Sequence, residues 1–141
     1  MKKLTVFILA ALIAITCVSI ALAANWVETG RNDNSIFSVD ISSVRRTDDT
    51  FRMWKKCVLC TPQAQAEWKK ILESSKTPVY YVEYSEYKID EPASRSISTT
   101  YYAEDGTVVH SFGEYYEWKM SPPDSVGEDM WHCGRQVLGL E

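Results

Sequence analysis

This chain has no glycine-rich phosphate loop, no His-Glu-x-x-His stretch and no Ser/His/Asp order, so the common signatures of nucleotide binding, zinc hydrolysis and nucleophilic catalysis are missing. Glycine and proline, six and five in 141 residues, are too sparse for a collagen-like repeat or a disordered Pro/Gly chain. No low-complexity tract, solenoid period or linker interrupts the sequence, which reads as one domain. Basic residues are outnumbered, 15 Lys plus Arg against 19 Asp plus Glu, a balance that argues against nucleic acid as a partner.

Charge is absent altogether from residues 4–24, directly after Lys2 and Lys3. That run ends in small residues, with Ala21 and Ala23 placed as an Ala-x-Ala cleavage site, and reads as a secretory signal peptide over 1–23. Cleavage after Ala23, or after the neighbouring Ala24, leaves a domain at 24–141 with no stable membrane anchor. An uncleaved span is the competing reading, because the run is long enough to cross a bilayer; polar Thr16 and Ser19 and the alanine-rich end favour cleavage. Cys17 does not read as a lipidation site, since Ala14-Ile15-Thr16 fits a lipobox poorly. The expected destination is outside the cytosol, in the periplasm, at the cell surface or beyond.

The remaining charge is uneven, slightly basic over 25–60 and acidic over 61–141. A polyanion contact is therefore expected only in the first third, where Arg52, Trp54 and Lys56 share a face if their segment is a strand. The same residues also suit a charge-protected sheet edge.

Period-two patterns predict strands at 36–42, 51–59, 79–89, 97–103 and 107–112, and a last short one over 115–120. In the third, the apolar phase moves from Tyr80, Val82 and Tyr84 to Tyr87 and Ile89, which predicts a bulge. Asp105-Gly106 predicts a two-residue type I′ hairpin that sets Tyr101 opposite His110 and Thr99 opposite Phe112. One helix is announced by Thr61 as N-cap and Pro62 in the first helical position, running to about Ser74 with Ala64, Trp68, Ile71 and Leu72 on its apolar face. A second follows Ser125, whose spacing to Glu128 matches a capping box, with Val126, Met130, Cys133 and Val137 as its buried stripe. The fold class is α+β: a mostly antiparallel sheet of about five to six strands, a C-terminal helix packed on it and one inserted helix.

This order of residues resembles the surface-adhesin protein E family. The likeness runs through Trp26, Phe51-Arg-Met-Trp54, Tyr84-Ser-Glu-Tyr-Lys-Ile-Asp90, Tyr101-Tyr102 before Asp105-Gly106 and Val108-Val109, then Trp118, the Pro122-Pro123 pair, Ser125 and Cys133. It implies a secreted envelope domain; separately, with no catalytic signature among the residues, neither enzymatic activity nor a cofactor is expected. It also implies a mostly antiparallel sheet with a packed helix and, by analogy with the best-known member, dimeric binding to host matrix and plasma proteins. The family commonly bonds a cysteine placed just after the position of Asp90 to the one matching Cys133; Glu91 stands there in this chain, so that bridge is not transferable.

Cys57, Cys60 and Cys133 remain after cleavage, an odd number for an oxidising compartment. Cys57 shares a strand face with Phe51 and Met53, and Cys133 lies on the stripe of the last helix, so a Cys57–Cys133 disulfide is expected, with Cys60–Cys133 the alternative. The spare thiol is then buried or links two subunits. A competing reading makes Cys57-Val-Leu-Cys60 a thiol-disulfide redox motif, with Cys60 just ahead of a helix N-terminus; against it, that helix opens after both cysteines and the strands before it form no βαβ unit. A metal site using Cys57, Cys60, Cys133 and His132 is a further alternative, opposed by spacing, because adjacent helical residues diverge and strand residues three apart face opposite ways.

All eight tyrosines fall between Tyr80 and Tyr116. Each adjacent pair puts one ring on each side of a strand, and Tyr81, Tyr102 and Tyr115 are expected on the open side. There, with Arg52, Trp54 and Lys56, they would form a binding surface or a homodimer interface, since tyrosine offers rigid area with a polar tip.

Overall fold

The computed structural model describes residues 23–113 and 116–141. The expected signal peptide, apart from Ala23, and the candidate Tyr115 lie outside the described residues. Among those described, no helix is long and apolar enough to cross a membrane.

Among the described residues, eight strands form one antiparallel sheet: β1 (Trp26–Arg31), β2 (Ser35–Asp40), β3 (Arg45–Thr47), β4 (Thr50–Leu59), β5 (Tyr80–Lys88), β6 (Ala93–Tyr102), β7 (Val108–Phe112) and β8 (Lys119–Met120). Their order is β1-β2-β4-β5-β6-β7, with β3 beside the start of β4 and β8 beside the start of β6. The described residues also form two α-helices, α1 (Pro62–Ile71), inserted between β4 and β5, and α2 (Val126–Val137) near the C-terminus. The α+β class and the two-helix layout match the expectation; the strand count exceeds it. β1 and β3 escaped the pattern because Trp26-Val-Glu-Thr-Gly-Arg and Arg45-Arg-Thr are polar edge segments without alternation.

Both helix starts follow their capping chemistry. The Thr61 hydroxyl accepts from the Ala64 amide at 3.2 Å, and Pro62 occupies the first turn. Ser125 accepts from the Glu128 amide at 3.3 Å, while the Glu128 carboxylate reaches back one residue further than a standard capping box and accepts from the Asp124 amide at 2.7 Å. α1 ends three residues earlier than expected, at Ile71, because Glu73 takes a positive φ of 49° and breaks the helical path. Ile71, expected on the apolar face, is exposed.

The side of the sheet covered by the helices holds two apolar clusters. Under α2 lie Val39, Phe51, Met53, Tyr87, Ile89, Met130 and Trp131, joined by Cys133 and Leu138. Under α1 lie Cys57, Leu59 and Ala64, joined by Trp68 and Tyr81. Phe37 touches both. The α2 stripe differs from the expected one at its end, since Val137 is exposed and Gly134 and Leu138 turn inward instead. Gly134 allows this close approach: a Cβ there would lie 2.2 Å from Cε2 of Phe51, whose ring stacks on Tyr87 at 5.1 Å.

Two bulges revise the predicted strand phases. The break in β5 is not in β5 at all. Its helix-side residues, Tyr81, Glu83, Ser85 and Tyr87, alternate without interruption opposite Cys57, Lys55, Met53 and Phe51, and the irregularity lies in β6, where Tyr84 pairs with Ser98 but Ser85 with Ser96. In the β6–β7 hairpin, Tyr101 faces His110 and Thr99 faces Phe112 as expected. The turn, however, is a three-residue one. The Gly106 amide donates to Ala103 O, only Gly106 has positive φ at 78°, and Ala103 pairs with Thr107. A bulge between the Tyr101 and Tyr102 pairings absorbs the extra residue and restores the expected register.

Candidate functional site

Strand alternation sends Arg52, Trp54 and Lys56 to the side of the sheet away from the helices. Their cross-strand neighbours complete an aromatic and cationic surface. Trp54 meets Tyr84 at 4.8 Å between ring centroids, Tyr80 stacks on Tyr102 at 4.9 Å, and the Lys56 ammonium sits 4.6 Å above the Trp26 ring. Glu86 lies between Arg52 (Nε to Oε1, 2.9 Å) and Arg95 (Nη2 to Oε2, 2.5 Å), and the Arg95 guanidinium lies 4.6 Å over Trp118. Burial pushes the Glu86 carboxyl upward, but the two guanidiniums outweigh it and hold its pKa below the ordinary carboxylate value.

The open-side strand positions carry Arg31, Arg45, Arg52, Lys56, Lys88 and Arg95 against Glu28, Asp40 and Glu86. This face is therefore positive on a chain of formal net charge −4. Trp54, 39% exposed, is its most prominent ring.

Of the residues expected to bind a partner, Arg52, Trp54, Lys56 and Tyr102 stand together here. Tyr81 does not. It pairs across from Cys57, packs on Trp68 and Tyr101 at 6.1 and 5.1 Å, and lies on the helix side, so Tyr80 takes the open-side place assigned to it. The error follows from the misplaced bulge, which inverted the phase of the first half of β5.

The helix side contains a feature that the sequence reading missed. Between the two apolar clusters, Lys55 and Glu83 face each other across β4 and β5, with Nζ to Oε1 at 2.9 Å and side chains 20% and 15% exposed. Ser85, fully buried, donates to the same Glu83 oxygen at 2.6 Å. Burial alone would lower the Lys55 pKa; Tyr87, Glu83 and Cys57 outweigh it and raise it above the ordinary lysine range. Beyond the pair opens a groove of about 420 Å³, walled by Trp68, Tyr101 and Phe112 and floored by Lys55, Glu83 and Thr99. The signal was present in the sequence: Lys55 is in phase with Phe51, Met53 and Cys57, so a charge had to lie on the packed side.

Among the described residues, Cys57, Cys60 and Cys133 are free thiols. Cys57 is buried in the α1 cluster, its thiol pKa pushed up by burial, whereas Cys133 packs against the α2 cluster and is also raised by burial. The structure does not show the Cys57–Cys133 bridge expected from amphipathic phase; the two thiols pack in different clusters. Cys60 lies past the end of β4, exposed, with its sulfur 3.6 Å from Val58 O, and is likewise free of Cys133. Among the described residues, no three His, Cys, Asp or Glu side chains converge as a metal site. His110 is exposed against Phe112 at 4.4 Å.

Comparison with known proteins agrees with this architecture. The surface-adhesin protein E family profile matches residues 26–133. Two solved structures of Haemophilus influenzae protein E share the fold. One superposes with a TM-score of 0.57 at 11% identity, covering 81% of this chain and 89% of that one; the other gives 0.54 at 11%, covering 82% and 87%. No curated protein matches the chain by sequence. With most of its length spanned by the family profile and its sheet shared with protein E, this chain belongs to the surface-adhesin protein E family.

Proposed function

We propose that the chain is an exported, non-enzymatic binding module of the bacterial envelope that holds a protein partner on the open side of its sheet. One observation carries this reading. A positive, aromatic-rich surface built from Arg52, Trp54, Lys56 and Tyr102 is left uncovered on an otherwise acidic molecule. Tryptophan, tyrosine and arginine are the residues that most often anchor protein interfaces, and rigid cross-strand pairs lose little entropy on binding. The charge favours a partner segment that is acidic. Family membership supports a place at the envelope surface, where matrix and plasma proteins are the partners suggested by resemblance. A second copy of the chain is the competing occupant.

The test measures binding of the purified protein to immobilised matrix and plasma proteins, beside an Arg52→Ala/Lys56→Ala variant, with sedimentation to score self-association. Saturable binding that weakens in the variant and at high salt supports the reading. Binding that ignores both changes, or dimers alone, overturns it.

A further inference from the structure

The groove on the helix side has a chemistry separate from that of the open face. At its floor the Lys55 ammonium and Glu83 carboxylate compensate each other at 2.9 Å, while Lys119 and Arg95, the latter paired with Glu86, also line the groove. The shared Glu83 oxygen already accepts from Lys55 and Ser85, which leaves the second carboxylate oxygen as an acceptor beside an ammonium with further hydrogens to donate. Thr99 adds a hydroxyl on the same strand face, opposite Glu83. Aromatic rings wall this polar floor: Trp68 lies 5.2 Å from Tyr101, and Phe112 meets Tyr101 edge-on at 6.2 Å.

An ion pair in the middle of a packed sheet face contributes little to stability compared with apolar residues of equal volume. Here the polar patch also separates the two apolar clusters, and beside it the sheet face next to α1 stays open. Its volume, about 420 Å³, falls in the range of small-ligand sites rather than of packing defects. A ligand suited to the Lys55–Glu83 floor must donate hydrogen bonds, must accept them at a neighbouring atom, and must offer flat apolar faces to aromatic rings. Adjacent hydroxyls on a pyranose ring meet the first two requirements, and the C–H faces of the ring meet the third.

We propose that this groove is a saccharide-binding site, in which Lys55 and Glu83 engage vicinal hydroxyls and Trp68, Tyr101 and Phe112 hold the ring. The proposal does not depend on the open face.

The experiment follows the five tryptophan indole N–H resonances of the purified protein during titration with the β-1,4-linked disaccharide of N-acetylglucosamine, with glycylglycine as a zwitterionic control. Saturable movement of the Trp68 resonance with the sugar alone is expected. The affinity should fall about tenfold or more in Lys55→Met/Glu83→Leu, whose paired charges leave together, and also in Phe112→Ala, a change at an exposed residue that leaves the core intact. No saturable shift, equal response to glycylglycine, or undiminished affinity in a folded Phe112→Ala protein would overturn the proposal.

Discussion

Lys55 and Glu83 meet at 2.9 Å on the packed side of the sheet, between the cluster under α2 and the cluster under α1. Removing Glu83 alone strands a mostly buried ammonium, whereas removing both charges leaves an apolar surface that the two helices can approach. Glu83→Ala should destabilise the fold by about 2–4 kcal/mol, and Lys55→Met/Glu83→Leu by much less or not at all. Denaturant midpoints of the three proteins check this; equal losses in both variants would contradict the geometry.

Gly134 tests the packing of α2 on Phe51. In a free helix, Gly→Ala gains about 1 kcal/mol. Here the new methyl would sit 2.2 Å from a ring already stacked on Tyr87, which blocks its retreat. The clash outweighs the helix gain, and Gly134→Ala should lower stability by about 1–3 kcal/mol, measured by thermal or urea unfolding.

Glu86 gives the acid limb of stability a definite sign. Its folded pKa lies below the ordinary 4.5, so its contribution is present above that value and is lost as pH falls through the folded pKa. Melting temperatures measured downward from neutral pH should fall more steeply below pH 4.5 in the native protein than in Glu86→Gln. Parallel curves would mean that Arg52 and Arg95 do not hold the carboxylate.

The thiols should differ in reactivity. In the folded protein, an exposed Cys60 should be modified by a thiol reagent first, with Cys57 and Cys133 protected by burial and raised pKa until unfolding. Peptide mapping after brief native labelling distinguishes the sites. A Cys57–Cys133 disulfide in that map would overturn the arrangement described above.

These tests also mark where sequence was informative. Caps at Thr61 and Ser125 located both helices because capping is local chemistry. The pairings of Tyr101 with His110 and of Thr99 with Phe112 were legible, though for an incomplete reason, since a longer turn and a bulge compensate each other. The open face was legible at Arg52, Trp54 and Lys56, where alternation in β4 is uninterrupted. It was misread at Tyr81 because tyrosine occurs on both sides of β5 and carries no phase information of its own. The groove was not seen because it needs β4, β5, β6 and α1 together, contacts that no single period reveals. Which cluster each thiol joins was not legible for a similar reason: a shared face says nothing about which helix covers which part of it.

The five tryptophans divide the molecule into its regions: Trp26, Trp54 and Trp118 beside the open face, Trp68 in the groove, and Trp131 in the core with its indole N–H donated to Lys88 O at 2.7 Å. Their indole resonances therefore report directly on where a protein partner docks. Adding a matrix or plasma protein fragment that binds the chain should move the Trp26, Trp54 and Trp118 signals while those of Trp68 and Trp131 stay in place. Movement confined to Trp68 and Trp131 would contradict the account.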